Sequence, residues 1–399
     1  MKRINLQEAS AQIARPTTIR DINRRIVLNY VRDRSPISRA DIARESNLHR
    51  STVSCIIEDL IAAGFIDEIG EGVSTGGRRP TLYQLKTGTP VAMGIDITPR
   101  LTTIGVADLA GNVLERESFA TSPDLAFMTT QIIDRSKALA AKYAEHKMEI
   151  GLTVPGLVDQ KQGHISHIPY FDWRDWELCG QIEEATGLNV IAENDANATA
   201  LAELWFGSDK IRKSDTFVTV LVGEGIGTGI VFDGQIYRGE MGAGGEFGHM
   251  IAGRSGPVDC SCGSRECWES FASEKALLER YKQLLQQDDL KPNGFSISSV
   301  IELALNGEKR AREALTETVH YLGNGISNLI VGLSPQVVVV SGNITRAWPI
   351  FGDELGRVVN RIRLAGLPEP LLMPSSLGDS PTLIGAVGLV LARRFGSVH

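Results

Sequence analysis

Glu246-Phe-Gly-His249 and, ten residues further on, Cys260-Ser-Cys262-Gly-Ser-Arg-Glu-Cys267-Trp-Glu269 form the stretch on which the reading of this chain turns. One imidazole and three thiols fall within nineteen residues, with a carboxylate at each end. His and Cys at such spacings are ligands of tetrahedral zinc, and a complete Cys3His set leaves no coordination position open for chemistry. The spacing therefore predicts one structural Zn2+ per chain, held by His249, Cys260, Cys262 and Cys267. Its job would be to fix Glu246, His249 and Glu269 relative to one another, which small irregular loops cannot do by core burial alone. Buried free thiols or a disulfide are the alternatives. Five cysteines in 399 residues, after an opening too polar for a secretory leader, point to a cytoplasmic protein whose thiols stay reduced. Three of the five share one eight-residue window, whereas Cys55 and Cys179 stand apart and read as small apolar residues.

Working outward, 399 residues suggest two or three domains, and a hydrophobic content of 42% is ample for packed cores. No apolar run approaches the roughly 20 residues that a membrane-spanning helix needs, so no membrane insertion is expected. The net charge of −7 conceals an asymmetry: residues 1–85 hold 13 Lys+Arg against 10 Asp+Glu, and the remainder 28 against 38. A basic head on an acidic body is one expectation for a reader of nucleic acid.

The head shows Ile22, Ile26, Val27, Tyr30 and Val31 at helical spacing. Ser38-Arg-Ala-Asp41 opens a second, short helix with a capping hydroxyl, and Val53, Ile56, Ile57 and Leu60 form the apolar stripe of a third. Two short helices joined by a tight turn make the helix-turn-helix pattern. The polar face opposite the stripe then presents His49, Arg50, Ser51 and Ser54 where a recognition helix meets base edges. Phe65–Ile69 and Thr81–Leu85 read as two wing strands, with Gly76-Gly77-Arg78-Arg79-Pro80 between them. Arg78 and Arg79 suit a minor groove or phosphates. One such head per chain implies a dimer on a palindromic operator in double-stranded DNA. A plain helical cap with a solvated arginine turn is the bland alternative; it leaves the polar face and the wing unexplained.

From Val91 the pattern turns to strands and crossovers: strands at 91–98, 103–108, 112–119, 149–154, 190–193, 216–222 and 227–232, and helices near 125–145 and 179–186. Val337–Gly342 reads as a buried strand running into a turn, and a helix over 382–395 ends the pattern. This is an α/β body, in two lobes around a cleft.

Glu193-Asn194-Asp195-Ala-Asn-Ala, Gly223-Glu-Gly-Ile-Gly-Thr-Gly229, Gly245-Glu-Phe-Gly-His249 and the Cys-x-Cys-x4-Cys-x-Glu run together resemble the ROK family of bacterial sugar kinases and sugar-responsive repressors. The resemblance spans nearly all of residues 90–399, and the head is similar to the DNA-binding domain of the repressor branch. It implies a winged helix-turn-helix at residues 1–85 and an actin-like ATPase (sugar kinase-like) body. The expected lobes are 86–195, completed by the C-terminal helix 381–399, and 196–380, with the zinc site and an oligomerisation surface. It also implies that Asn194, Asp195, Glu246, His249 and Glu269 contact sugar hydroxyls, while His249 doubles as a zinc ligand. Carboxylates and one carboxamide are suited to a ring of hydroxyls, since they accept and donate in a fixed pattern. Capping is the competing account of this set, with Asp195 well placed to cap a helix.

Within that resemblance, Asp195 matches the base of the kinases. The first phosphate loop, Asp-x-Gly-Gly-Thr in the kinases, reads Asp96-Ile97-Thr98-Pro99-Arg100 here. Thr98 adds a Cβ and Pro99 removes a backbone donor. Glu224 stands where the kinases carry a small hydroxyl residue, bringing a negative charge toward the phosphates. The kinases' sugar-loop tryptophan looks retained in Trp173-Arg-Asp-Trp176. The expectation is thus a sugar-responsive repressor of carbohydrate genes without kinase activity, working as a homodimer or homotetramer, with a sugar-uptake-system protein as a further partner. An ATP-dependent hexose kinase with a DNA-binding head is the alternative.

Overall fold

The computed structural model describes residues 16–73, 79–159, 163–288, 290, 294–361 and 368–395. The described residues up to Thr87 form one compact unit and Gly88–Arg393 another.

The first unit is a winged helix-turn-helix. Helix α1 (Pro16–Arg34) is followed by β1 (Ile37–Ser38), α2 (Arg39–Ser46), α3 (Arg50–Ala62), β2 (Ile66–Glu71) and β3 (Thr81–Leu85). Ser38 caps α2 by accepting from the Asp41 N–H, which satisfies one of the otherwise orphaned donors of the first turn. Asn47, in the left-handed region at φ 57, ends α2 and makes the tight turn. Val27, Leu28, Val31, Ile42, Val53, Ile56, Ile57 and Leu60 close the core of the three helices. Each fully buried side chain of this kind contributes about 1.5–3 kcal/mol. Strands β2 and β3 pair antiparallel and β1 adds to β3, giving the order β1-β3-β2. The arginine turn joins β2 to β3, and within it Arg78 lies outside the described residues.

The second unit holds two five-stranded sheets built on one plan. In the first, β4 (Ala92–Ile97), β5 (Leu101–Ala107) and β6 (Val113–Ala120) run as antiparallel neighbours. After α4 (Leu125–Lys142), β7 (Glu149–Val154) lies parallel to β4. A small antiparallel sheet of β8 (Leu157–Asp159), β9 (His164–Ile168) and β10 (Trp173–Trp176) follows. Helix α5 (Leu178–Thr186) then leads to β11 (Val190–Asn194), parallel to β7.

Helices α6 (Asp195–Phe206) and α7 (Asp209–Arg212) lead to the second sheet, where β12 (Thr216–Val222), β13 (Ile226–Phe232) and β14 (Gln235–Ile236) repeat the antiparallel run. Helices α8 (Trp268–Ala272), α9 (Glu274–Gln287), α10 (Ile297–Leu305) and α11 (Lys309–Leu333) precede β15 (Val337–Ser341), which is parallel to β12. Helix α12 (Trp348–Val359), β16 (Leu371–Pro374) and α13 (Pro381–Phe395) finish the chain. The orders β11-β7-β4-β5-β6 and β14-β13-β12-β15-β16 are the same plan used twice. The β4–β5 and β12–β13 turns are therefore equivalent turns of two sheets.

Burial explains the strand compositions. Val337–Val340 is buried on both faces, as a parallel strand covered by helices must be. Helix α13 lies on the first sheet so closely that a Cβ on Gly151 would stand 1.8 Å from the Ala386 carbonyl oxygen. Trp268, fully buried at the start of α8, packs on α11 and donates its indole N–H to the Tyr321 carbonyl at 2.9 Å.

Candidate functional site

The ends of β4, β11 and β12 and the loops after β13 surround a cavity of about 790 Å³ in the second unit. Its lining brings together Asn194, Asp195, Glu246, His249 and Glu269, which lie up to 75 positions apart in the sequence. Pro155 and Gly156 form part of its wall.

Asn194 ends β11 and caps α6. Its Oδ1 accepts from the Ala196 and Asn197 N–H groups at 2.9 and 3.1 Å, and its Nδ2 donates to the Gly156 carbonyl at 3.2 Å. The cap is thus Asn194 rather than Asp195, because the chain leaves the extended region at Asn194 and residue 195 is already helical. Asp195, the first helical residue, accepts from the Ala196 N–H at 2.8 Å. Burial, with the Asp96 and Glu246 carboxylates adding to it, pushes its carboxyl up to about 7.

Glu269 is buried at the first turn of α8. Its Oε1 accepts from the Ser261 N–H at 3.0 Å and its Oε2 from the Ile226 N–H at 3.4 Å. Burial raises the pKa of Glu246, with Glu269 adding to the effect and His249 opposing it. A Cβ at Gly225 would lie 2.5 Å from both Glu269 Oε2 and the Tyr170 hydroxyl, so a larger residue there would displace the site's own side chains.

His249 faces two ways. Its Nδ1 lies 3.1 Å from Cys260 Sγ and its Nε2 3.5 Å from Glu246 Oε2. The four ligand atoms of His249, Cys260, Cys262 and Cys267 all lie within 4.8 Å of one another, and the cysteines are free. Three thiols and one imidazole nitrogen converging at this range suit a structural metal ion. One imidazole thereby turns one nitrogen toward the cysteine cluster and faces the cavity's acids with the other.

Two contributors escaped the sequence reading. Tyr170 lines the cavity, and its hydroxyl is pushed well above its usual range by burial and then by Glu269, Asp195 and Glu224. A phenol held protonated here is a donor. Trp173 and Trp176, the residues suggested by the resemblance, instead belong to the core of the first sheet. Their indole N–H groups donate to Pro123 O and Thr129 Oγ1 at 2.9 and 3.0 Å. The second is Glu193, buried at the end of β11. Its Oε1 accepts from the Asn194 N–H and Asn197 Nδ2 at 3.0 and 3.3 Å, and its Oε2 pairs with Arg238 Nε at 2.7 Å. This pair ties the strand that ends in Asn194, just ahead of Asp195, to the glycine-rich loop that carries Glu246. Its sequence signal was adjacency to Asn-Asp, indistinguishable there from an ordinary strand end.

Where the two equivalent turns meet the cavity, three backbone donors are used within the turns themselves. The Thr98 N–H donates to Leu101 O at 2.9 Å, the Leu101 N–H to Thr98 Oγ1 at 3.1 Å and the Gly223 N–H to Gly225 O at 2.9 Å. Arg100 and Glu224 form an ion pair from one turn to the other. Asp96, buried beneath the first turn, accepts from Thr153 and Thr382 hydroxyls at 2.9 and 2.6 Å, and burial raises it to about 6.

In the first unit, His49, Arg50 and Ser51 are exposed and Ser54 half-buried, on α3 opposite its buried stripe. His49 is the extended N-cap residue of α3. Arg79 is exposed and has Glu71 at 3.9 Å, a surface separation that holds little energy.

Comparisons with known proteins agree with this architecture. Residues 92–393 match the ROK family, and residues 20–67 match a winged helix-turn-helix DNA-binding family. The xylose repressor of Bacillus subtilis (strain 168) is 33% identical over 386 residues, covering 95% of this chain and 97% of the relative. Among solved structures, a ROK-family transcriptional regulator homologous to the E. coli MLC protein superposes with a TM-score of 0.76 at 26% identity, covering 95% and 97% of the two chains. A ROK-family glucokinase from Streptomyces griseus, solved with glucose and AMPPNP, superposes at 0.66 with 29% identity, covering 75% of this chain and 99% of the kinase. The kinase thus lacks the equivalent of about a quarter of this chain. The chain belongs to the ROK family and carries a winged helix-turn-helix ahead of the family domain.

Proposed function

We propose that this protein is a sugar-responsive transcriptional repressor of carbohydrate uptake or metabolism genes, with a free sugar bound in the body's cleft as its effector. The observation that carries the reading is the convergence of Asp195, Glu246, Glu269, His249 and Asn194 on one cavity in a chain that also presents a recognition helix. Asp195, Glu246 and Glu269 accept from sugar hydroxyls, Tyr170 and His249 Nε2 complete the donor-acceptor ring, and Asn194 contributes the part of its carboxamide that capping leaves free. The relative named a xylose repressor puts xylose first among the sugars to try.

His249, Cys260, Cys262 and Cys267 would hold a structural Zn2+, which closes the loop bearing Glu246 onto the helix bearing Glu269. The metal takes no part in chemistry. His49, Arg50, Ser51 and Ser54 read the major groove, with Arg79, and Arg78 beside it in sequence, at the wing. A palindromic operator and a homodimer or homotetramer follow from one head per chain. Sugar binding then favours a dimer arrangement with lower operator affinity, which requires a difference of several kcal/mol between states. The site of action is where the operator is, in the cytoplasm. Among the described residues no helix is long and apolar enough to cross a membrane. A protein of the sugar-uptake system is a second candidate partner.

Kinase activity is not expected, because in the turns that would cradle phosphates Pro99 has no donor, the Thr98, Leu101 and Gly223 N–H groups are bonded internally, and Arg100 and Glu224 are joined in an ion pair. The deciding experiment titrates operator-bound protein with xylose, glucose and N-acetylglucosamine, with and without ATP. Release by a sugar without ATP consumption supports the reading; sugar-dependent ATP turnover that needs Asp195 replaces it with a kinase.

A further inference from the structure

The charged end of the cavity bears on which sugars the cleft admits, given the sugar reading above. Arg100 projects from the β4–β5 turn and Glu224 from the β12–β13 turn, so their ion pair bridges equivalent turns of the two sheets. Of the described guanidinium groups near this end, Arg100 pairs with Glu224 and Arg346 with Glu302 at 3.0 Å, while Arg116, which is exposed, donates to the neutral Ser380 Oγ at 3.2 Å. Asp96, Glu224 and Asp379 supply carboxylates to the same lining. Pro99 has no backbone donor, and the N–H groups of Thr98, Leu101 and Gly223 are bonded inside their own turns. A neutral hydroxyl group meets no penalty here. A phosphate meets a fixed carboxylate and finds the one guanidinium between the turns already neutralised, and like charges in a partly desolvated cleft repel strongly.

We propose that the Arg100–Glu224 pair is a charge filter that restricts the effector to uncharged sugars. Glu224 is the specificity-determining residue: it occupies the guanidinium that a phosphate group would otherwise claim, and it repels that group directly. Negative selection of this kind separates two ligands that share the same sugar ring and differ only in a phosphate. Arg100 is accordingly a latent anion receptor, held in reserve by its intramolecular counter-ion.

The test uses the full-length protein at one fixed ionic strength, with calorimetric titration of xylose, glucose, glucose 6-phosphate and inorganic phosphate. Glu224→Gln, nearly the same size, removes the charge, and Arg100→Ala combined with Glu224→Gln removes the receptor as well. Glucose 6-phosphate and inorganic phosphate are expected to bind Glu224→Gln at least tenfold more tightly than wild type, and the double variant is expected to lose that gain. Wild-type protein that binds glucose 6-phosphate as well as glucose overturns the proposal, as does a folded Glu224→Gln protein with no gain for inorganic phosphate. Failure of every free sugar to bind wild type would instead defeat the sugar reading, and the inorganic phosphate titration still decides the filter on its own.

Discussion

Replacing Asp195 by Asn is expected to make the protein more stable at alkaline pH while abolishing its response to sugar. The carboxyl is raised from an ordinary 3.8 to about 7 by burial and by its neighbours Asp96 and Glu246. Between roughly pH 4 and pH 7 the folded protein therefore holds a proton that the unfolded chain has released, so stability falls as pH rises through this window. A displacement of about 3 pKa units corresponds to a ceiling of about 4 kcal/mol. Asp195 is half-buried and opens to the cleft, so solvent screening brings the expected cost to about 2–3 kcal/mol at pH 8. Asn keeps the Oδ1 that accepts from the Ala196 N–H but carries no charge. Thermal unfolding without sugar should show Asp195→Asn melting roughly 3–5 °C above wild type at pH 8. The difference should shrink toward zero near pH 4. A variant no more stable than wild type at pH 8, or one equally stabilised at pH 4 and pH 8, refutes the argument that this acid is held charged at a cost.

Cys260→Ser should lower bound metal well below one ion per chain by elemental analysis and weaken sugar-induced operator release, while operator affinity without sugar stays within about threefold. Arg50→Ala should weaken operator binding and reduce the salt slope of that binding by about 1 if the contact is to phosphate, or cost about 1–3 kcal/mol at one base position if it reads an edge; competition against substituted operators separates the two. Gly151→Ala forces a Cβ against the Ala386 carbonyl and should destabilise the body by at least about 1–3 kcal/mol in denaturant titration, because backbone on both sides leaves no side chain to yield. Arg238→Ala removes the Arg238 partner of the buried Glu193 carboxylate and should lower sugar affinity more than operator affinity, measured by titrating each ligand separately.

Local signals settled a great deal. The stripe Val53, Ile56, Ile57 and Leu60 is buried as its spacing requires, Ser38 caps α2, and the strands at 149–154 and 216–222 have the predicted bounds. These features depend on hydrophobic period and on hydrogen bonds within a few residues, which the sequence carries in full. The short run from His249 to Cys267 likewise brought its four ligand atoms together within one loop region.

Tertiary structure decided whatever depends on partners distant in the chain. The choice of Asn194 over Asp195 as the cap turns on where the backbone becomes helical after β11. Tyr170 rather than Trp173 faces the cleft because the small antiparallel sheet turns its tryptophans into the core. Glu193 finds Arg238 45 residues away, and Arg100 finds Glu224 only because two sheets of the same plan bring their equivalent turns face to face. The sequence by itself determined the elements and the chemical character of each group. The packing of one sheet's strand ends against the other's decided which charges meet, since side-chain contacts across a cleft have no period or spacing along the chain.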